Sequence, residues 1–301
     1  MRTLLLGIDG ADPELMERWE LPHMESIGEG FQIDTHGNSG PSWASVMTGL
    51  RPQEHGVFKL EPQQDEQSWQ GTPIWEKVDG YSGVANVPLT YPPDTDINGW
   101  MVTGLFTPRN AIYTSPRNLY KKLDELGYRI DVWIDNHQNH PHGHYGTIPF
   151  DFDQEYKEEI LSSLEDVIEK RGDCFKWLLE NEPVDFSFLC FTSLDRVQHL
   201  AFDDQERVRE FYEMMDEQVG KVLNSDAVTE DTEIFLTSDH GFRRIDMPDA
   251  NLTGEHRMEG YGAVKSDRFN AFKDLEDLHE CVVASANRTD VEDRLEDLGY
   301  L

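Results

Sequence analysis

The chain has few positive charges, few cysteines and no long apolar run. Its 26 basic residues, 10 of them lysines, stand against 59 acidic residues, and the formal net charge at pH 7 is −33. A surface this negative repels nucleic acid and anionic membranes. The acidic residues are scattered rather than gathered in a block, which argues against an acidic tail. We interpret the charge as adaptation to high salt, where screening weakens self-repulsion, with binding to a basic partner as the alternative.

The other two absences exclude several protein classes. Three widely spaced cysteines (Cys174, Cys190 and Cys281) do not form a disulfide framework or a zinc ribbon. No apolar stretch approaches the roughly 20 residues that a membrane helix needs. A strand predicted from Thr3 onwards leaves no room for a signal peptide. We therefore expect a cytoplasmic protein without membrane contact, and the sequence does not indicate its oligomeric state.

Short apolar runs alternate with helical patterns along most of the chain. Strands are predicted at Thr3–Ile8, Val84–Val87, Arg129–Ile134, Asp185–Thr192 and Glu233–Thr237. Helices are predicted at Pro13–Trp19, Pro22–Ile27, Ser42–Thr48, Asn118–Leu126, Gln154–Asn181 with a break near Gly172, Gln205–Leu223 and Val291–Leu298. The alternation predicts an α/β fold with a mostly parallel central sheet and helices on both faces.

The length fits one large α/β domain or two small ones. We interpret 1–301 as a single domain. Within it, 91–152 is rich in Pro, Asn, His and Gly and is predicted to form a lid or a small inserted subdomain. This segment contains His137, His140, His142 and His144, for which a solvated loop is the first interpretation and a third metal site the second.

Side chains that can bind a metal ion follow the predicted strands. They are Asp9, Asp195, His199, Asp239 and His240, with His256 further along in a polar loop. In parallel sheets, ligands bind beyond the carboxyl ends of the strands, so these residues are expected to lie together. Each also has an ordinary alternative. Asp9 could cap a helix, Asp195 and His199 could form a surface ion pair, and His256 could simply be exposed.

Ser39 adds a possible nucleophile to this set. It precedes Gly40-Pro41 and a predicted helix start, where backbone N–H groups attract an anion. A serine hydroxyl is a weak nucleophile until a base or a metal lowers its pKa. The alternative role of Ser39 is that of a helix cap.

Together these segments resemble the alkaline phosphatase superfamily, in its type I phosphodiesterase/nucleotide pyrophosphatase branch. The resemblance covers most of the chain, and the matching stretches occur in the order of the family. They are LLLGIDGADPELMERW, SGPSWASVMTGLRPQEHGV, ANVPLTYPP, FTSLDRVQH, TSDHGF, GEHRMEG and VEDRLEDLGYL.

The resemblance implies two divalent metal ions, usually zinc, with manganese also possible. One ion would be held by Asp195, His199 and His256. The other would be held by Asp9, Ser39, Asp239 and His240, and Ser39 takes the place of the nucleophilic Thr or Ser of the family. The implied reaction is hydrolysis of a small phosphodiester or related phosphate ester through a phosphoserine.

The chain departs from the family near the phosphate. Nucleotide pyrophosphatases of this branch carry an asparagine soon after the HG of the nucleophile segment, whereas HGVFKLEP has none. Lys59 and Asn86 are the candidate replacements. Arg243 in DHGFRR could contact a substrate anion or could form a surface salt bridge. The departure weakens the case for a nucleotide substrate.

Four alternative functions remain at this stage. Phosphonate hydrolases and phosphomonoesterases would fit the same ligands. Sulfatases share the fold, but their C/S-x-P-x-R signature fails here because Trp43 stands where the arginine belongs. A catalytically inactive binding protein would be expected to have lost ligands or the nucleophile, and this chain retains all seven.

Overall fold

The computed structural model describes residues 1–60, 69–108, 111–132, 154–246 and 252–287. The histidine-rich loop at 137–144 and the predicted helix Val291–Leu298 lie outside these ranges. Both therefore stay predictions.

An eight-stranded sheet forms the centre of the described part of the chain, in the order β2-β10-β7-β1-β6-β3-β4-β5. The strands are β1 (Thr3–Ile8), β2 (Phe31–Asp34), β3 (Ser82–Ala85), β4 (Gly99–Val102), β5 (Thr114–Ser115), β6 (Phe186–Phe191), β7 (Glu233–Thr237) and β10 (Glu259–Lys265). A separate hairpin consists of β8 (Gly241–Arg244) and β9 (Gly254–Arg257). The five central strands β7, β1, β6, β3 and β4 run parallel, which confirms the mostly parallel sheet.

Helices cover both faces of this sheet. They are α1 (Pro13–Arg18), α2 (Pro22–Glu25), α3 (Ser39–Thr48), α4 (Pro52–His55), α5 (Ile74–Lys77), α6 (Leu119–Glu125), α7 (Gln154–Asn181), α8 (Ser193–Ala201), α9 (Gln205–Leu223) and α10 (Leu275–Ala286). None of these helices combines the length and the apolar composition that a membrane span requires.

The apolar sequence of strand β1 follows from its position at the centre of the sheet. All six of its residues are buried. Successive side chains of a strand point to opposite faces, so a strand that is covered on both faces has no position for a polar side chain in water. Leu4 and Leu6 accordingly join the core beneath α7, α8 and α9, and Leu5 joins the core beneath α3 and α10.

Two sequence-based helix predictions need correction. The predicted break near Gly172 is wrong, because α7 is continuous from Gln154 to Asn181. Gly172 instead allows close packing on α9, since a Cβ there would lie 2.4 Å from Oε1 of Gln218. Helix α3 begins at Ser39 rather than Ser42.

The segment 91–152, predicted to form a lid or a small inserted subdomain, lies partly within the described ranges. Its described portion contributes β4 and β5 to the central sheet. The predicted strand Arg129–Ile134 is absent over its described residues 129–132, which form no regular element. Residues 133–153 lie outside the described ranges, so a lid formed by that portion stays a prediction.

Candidate metal centre

The pairing of three parallel strands brings the predicted ligands to one edge of the sheet. Strand β1 lies between β6 and β7, with Ile8 in register with Phe191 and Gly7 in register with Thr237. Chain segments that leave these strands therefore start side by side. Asp9 follows β1, Asp195 lies in α8 after β6, and Asp239-His240 follow β7.

Asp195, His199 and His256 form one cluster. Their potential ligand atoms all lie within 4.8 Å of one another. The Asp195 Oδ1 atom is 3.0 Å from Nε2 of His256 and 3.4 Å from Nε2 of His199. The four-residue spacing on α8 places Asp195 and His199 on one helix face, as predicted. The β8–β9 hairpin brings His256 to them.

Asp9, Asp239 and His240 form the second cluster, again with ligand atoms within 4.8 Å. The Nε2 atom of His240 lies 3.6 Å from Oδ1 of Asp9 and 3.3 Å from Oδ2 of Asp239. It is also 3.7 Å from Oδ1 of Asp195, so the two clusters adjoin each other.

Ser39 is the first residue of α3 and points into the second cluster. Its hydroxyl donates to Oδ1 of Asp9 at 3.4 Å and lies 3.1 Å from Nε2 of His240. The helix cap is Asn38, whose side chain accepts from the N–H of Gly40. The Ser39 hydroxyl is thus not used as a cap. Gly40 is required because a Cβ there would lie 2.5 Å from the backbone of Lys59 and Leu60.

Charges of one sign dominate the second cluster. Burial raises the pKa of Asp9 well above its usual value, and the charges of Asp239 and Asp195 act in the same direction. Burial also raises the pKa of Asp239 to about 7, although a hydrogen bond from Gly10 opposes this. Burial lowers the pKa of His240 well below its usual value, so its imidazole is neutral. These acidic groups are best stabilised by a shared cation.

The first cluster contains both charge signs. Burial alone would raise the pKa of Asp195, but the nearby His199 and His256 hold it well below its usual value. Burial acts to lower the pKa of His256, and the hydrogen bond with Asp195 outweighs this and raises it. Asp195 is therefore an anion that two imidazoles surround.

The hydrogen bonds of the histidines show that both clusters suit a metal. Nδ1 of His199 donates to the Gly254 carbonyl at 3.0 Å, and Nδ1 of His240 donates to the Gly241 carbonyl at 3.2 Å. With Nδ1 bound to a carbonyl, Nε2 is the ring nitrogen of each histidine that faces its cluster and could bind a metal, as in metal-binding histidines. The buried Oδ2 atom of Asp239 has no hydrogen-bond partner among the residues that the structure describes. These oxygen and nitrogen donors fit a divalent transition-metal ion.

The three predicted substrate contacts lie in different environments. Lys59 is exposed, and its backbone crosses the first turn of α3 beside Gly40. Asn86 is fully buried, and its amide is bound by Cys190 and Tyr128 within the fold. Arg243 is exposed and pairs with Glu255 at 2.8 Å. The contacts of Asn86 and Arg243 favour structural roles, and the assignment of all three to substrate stays a prediction.

Two residues near the ligands were not predicted to have this role. Trp43 is fully buried and donates to Oδ2 of Asp9 at 3.1 Å. Arg196 pairs with Oδ2 of Asp195 at 3.6 Å. The adjacency of Arg196 to Asp195 in SLDRVQH is the sequence signal that could have identified it.

The sheet and its ligand-bearing edge define an α/β protein of the alkaline phosphatase type. The chain belongs to the type I phosphodiesterase/nucleotide pyrophosphatase family, whose model matches residues 3–296. Membership of this family supports a hydrolase of phosphate esters. No curated protein matches the sequence.

Solved structures agree with this fold. Human ectonucleotide pyrophosphatase/phosphodiesterase 5 is 15% identical with a TM-score of 0.55, and the match covers 99% of each chain. A mutant of TAB5 alkaline phosphatase solved with magnesium bound is 10% identical with a TM-score of 0.54, covering 95% of this chain and 97% of that one.

Phosphonoacetate hydrolase from Sinorhizobium meliloti 1021, solved with phosphonoacetate, is 16% identical with a TM-score of 0.54. The match covers 83% of this chain and 58% of the hydrolase chain. A match to murine ectonucleotide pyrophosphatase/phosphodiesterase 5 likewise covers 58% of the murine chain, so this chain spans little more than half the length of these two relatives. Identities this low describe a shared fold rather than a shared substrate.

Proposed function

We propose that the protein hydrolyses phosphodiesters or related small phosphate esters through a covalent phosphoserine at Ser39. The observation that supports this most directly is the position of the Ser39 hydroxyl. It lies 3.4 Å from Oδ1 of Asp9 and 3.1 Å from Nε2 of His240, within the second potential metal cluster, and His240 also adjoins the first cluster through Asp195.

The same clusters would hold two divalent cations. Asp195, His199 and His256 would bind one ion, and Asp9, Ser39, Asp239 and His240 would bind the other. Zinc suits a set of carboxylates and imidazoles, and manganese is the alternative. Divalent cations at such a site neutralise charge on phosphoryl oxygens and favour the ionised form of a nucleophile.

In the first half of the reaction, Ser39 Oγ attacks phosphorus. The Oγ–P bond forms, the bond between phosphorus and the leaving oxygen breaks, and the hydroxyl proton passes to solvent. Asp9 orients Oγ through its Oδ1 atom, while the indole N–H of Trp43 fixes the other oxygen of the same carboxylate. This hydrogen bond keeps the Asp9 carboxylate in one orientation.

In the second half, water attacks the phosphoserine and restores the Ser39 hydroxyl. A diester substrate therefore gives an alcohol and a phosphate monoester. Burial of Ser39, which is 3% exposed, limits the approach of competing water until substrate is in place.

Phosphonate or phosphomonoester hydrolysis is the nearest alternative. The site offers the same nucleophile and ligands to these substrates, and a phosphonoacetate hydrolase shares the fold. A sulfatase is disfavoured because Trp43, which stands at the position of the signature arginine, is fully buried against Phe188. An inactive binding protein would need neither the nucleophile nor a full set of ligands.

A substrate panel tests the proposal. Aryl phosphodiester, phosphomonoester, phosphonate and sulfate substrates should be compared in molar salt with zinc or manganese. We expect turnover of the phosphodiester, weaker turnover of the other phosphorus esters and none of the sulfate. Metal-loaded protein that cleaves none of the phosphorus esters would contradict the proposal, and preferred cleavage of the sulfate would show another reaction class.

A further inference from the structure

A guanidinium group adjoins the metal centre and is not explained by metal binding. Arg196 follows the ligand Asp195 in α8, and its side chain is 12% exposed. Nε of Arg196 donates to Oδ2 of Asp131 at 3.3 Å, and its Nη1 atom lies 3.6 Å from Oδ2 of Asp195. Because Oδ1 of Asp195 faces the histidines, Arg196 lies on the other side of the same carboxylate.

Part of the Arg196 guanidinium makes no hydrogen bond within the described ranges. Within the described ranges, its one hydrogen bond is the bond from Nε to Asp131, and the Nη1 approach to Asp195 is too long for a second. An arginine presents five N–H donors in a fixed plane, so donors remain for a further acceptor.

The fold holds this arginine in place from two directions. Asp131, its ion-pair partner, is 1% exposed. The segment before Asp131 is fixed by the fully buried Arg171, which donates to the backbone carbonyls of Arg129 and Ile130. Arg171 also donates at 2.9 Å to Oγ1 of Thr192, directly before α8. Both the arginine and its partner are therefore anchored to the same buried side chain.

We propose that Arg196 binds a non-bridging oxygen of the phosphoryl group at this site. The inference rests on the proposed function, because it assumes that phosphate esters bind between the clusters. A planar guanidinium suits tetrahedral oxyanions, and in a chain with a net charge of −33 an anionic substrate needs local positive charge. Asp131 is the positioning residue for this arginine. The competing role for Arg196 is to orient Asp195 alone.

The test measures binding rather than turnover. Wild type, Arg196→Gln and Arg196→Lys are loaded with zinc, their metal content is measured by elemental analysis, and the affinity for inorganic phosphate is measured by calorimetry. We expect Arg196→Gln to keep the wild-type metal content and to bind phosphate about ten- to a hundredfold more weakly, the range for a hydrogen bond to a charged group. Arg196→Lys should recover part of the affinity.

Controls separate the two roles. Arg207→Gln removes an arginine that pairs with Glu165 and Glu210 on the surface and should bind phosphate like wild type. The proposal would be overturned if Arg196→Gln bound phosphate within about twofold of the wild-type affinity. It would also be overturned if the variant lost phosphate affinity only in proportion to a loss of bound metal. A wild-type protein that binds phosphate but hydrolyses none of the phosphorus esters would contradict the proposed function. If Arg196→Gln still weakened phosphate binding in that case, the role of Arg196 would remain supported.

Discussion

Among the individual residues, Asp239 has the clearest need for a cation. Its side chain is fully buried, and within the described part of the chain its Oδ2 atom accepts no hydrogen bond. Oδ1 accepts from the N–H of Gly10 at 3.0 Å, and Oδ2 faces the neutral imidazole of His240 at 3.3 Å. A buried carboxylate with one unsatisfied oxygen costs free energy unless a positive group shares it.

Asp239→Asn should therefore remove one metal ion. The amide keeps the shape of the side chain but brings an N–H₂ group and no charge to the ligand position. We expect about two ions per chain in the wild type and about one in the variant after dialysis, measured by plasma mass spectrometry.

Asp216→Asn is the matched control for this substitution. Asp216 is also buried, but it belongs to neither cluster. Its carboxylate accepts from the backbone N–H groups of His23 and Met24. This variant should lose stability by about 1–3 kcal/mol and keep its metal. Equal metal content in Asp239→Asn and wild type would show that Asp239 is not a ligand.

The candidate metal ligands were easier to place from the sequence than the candidate substrate contacts. Asp9 and Asp239 follow unbroken apolar runs, so their place at the sheet edge follows from strand direction. Asn86 was chosen from a motif, but its amide bonds lie within the fold, and no local pattern reveals such distant partners. Arg196 needs Asp131, which is 65 residues away, and this pairing could not be read from the sequence.

At the level of elements, His279 joins three helices behind the nucleophile. It lies in α10, its Nδ1 donates to the Val46 carbonyl of α3 at 2.9 Å, and its Nε2 accepts from Lys77 of α5 at 2.9 Å. Burial lowers the pKa of His279 to about 4, and the charge of Lys77 acts in the same direction. The junction therefore requires a neutral imidazole.

Acid should weaken this junction. A base with a depressed pKa in the folded state contributes stability that is present above its ordinary pKa of 6.5 and is lost as the pH falls towards 4. The difference corresponds to about 3 kcal/mol. Urea unfolding between pH 4 and 7.5 should show that His279→Gln is less stable than wild type at neutral pH and has a flatter dependence on pH.

Glu280→Gln, an exposed neighbour in α10, should keep the wild-type slope between pH 4 and 6.5. Parallel curves for wild type and His279→Gln would contradict the assigned role of His279.

Parallel strands and long helices were predicted more successfully than the remaining elements. Strand β1 and helix α9 match their predicted bounds, because each has a continuous or periodic apolar pattern. Strand β10 was missed because EGYGAVK contains two glycines, which strands disfavour. Gly172 was read as a helix breaker, whereas its packing against α9 is a tertiary effect.

For the whole molecule, the net charge of −33 dominates the behaviour in solution. Screening shortens the range of charge repulsion from about 10 Å at 0.1 M salt to about 3 Å at 1 M. We expect the melting temperature to rise by several degrees between 0.1 M and 2 M potassium chloride, because salt weakens the repulsion between the acidic side chains. A stabilisation of about 1 kcal/mol corresponds to roughly 2–4 °C in chains of about 150–250 residues.

A variant with four exposed acidic residues neutralised provides the comparison. The positions are Glu17, Glu29, Glu206 and Glu230, each changed to Gln. This variant should be more stable than wild type in low salt and should gain less from added salt. A melting temperature independent of salt in both proteins would contradict the interpretation of the acidic surface as a high-salt adaptation.

The most direct test of the proposed function is to locate the phosphoryl group on the chain. Metal-loaded protein is quenched in acid during turnover of an aryl phosphodiester, digested and examined by mass spectrometry, with Ser39→Ala and Ser42→Ala in parallel. We predict a phosphoryl group on Ser39 in wild type and in Ser42→Ala, and neither label nor turnover in Ser39→Ala, which should retain at least one metal ion. Wild-type turnover in Ser39→Ala would contradict the account.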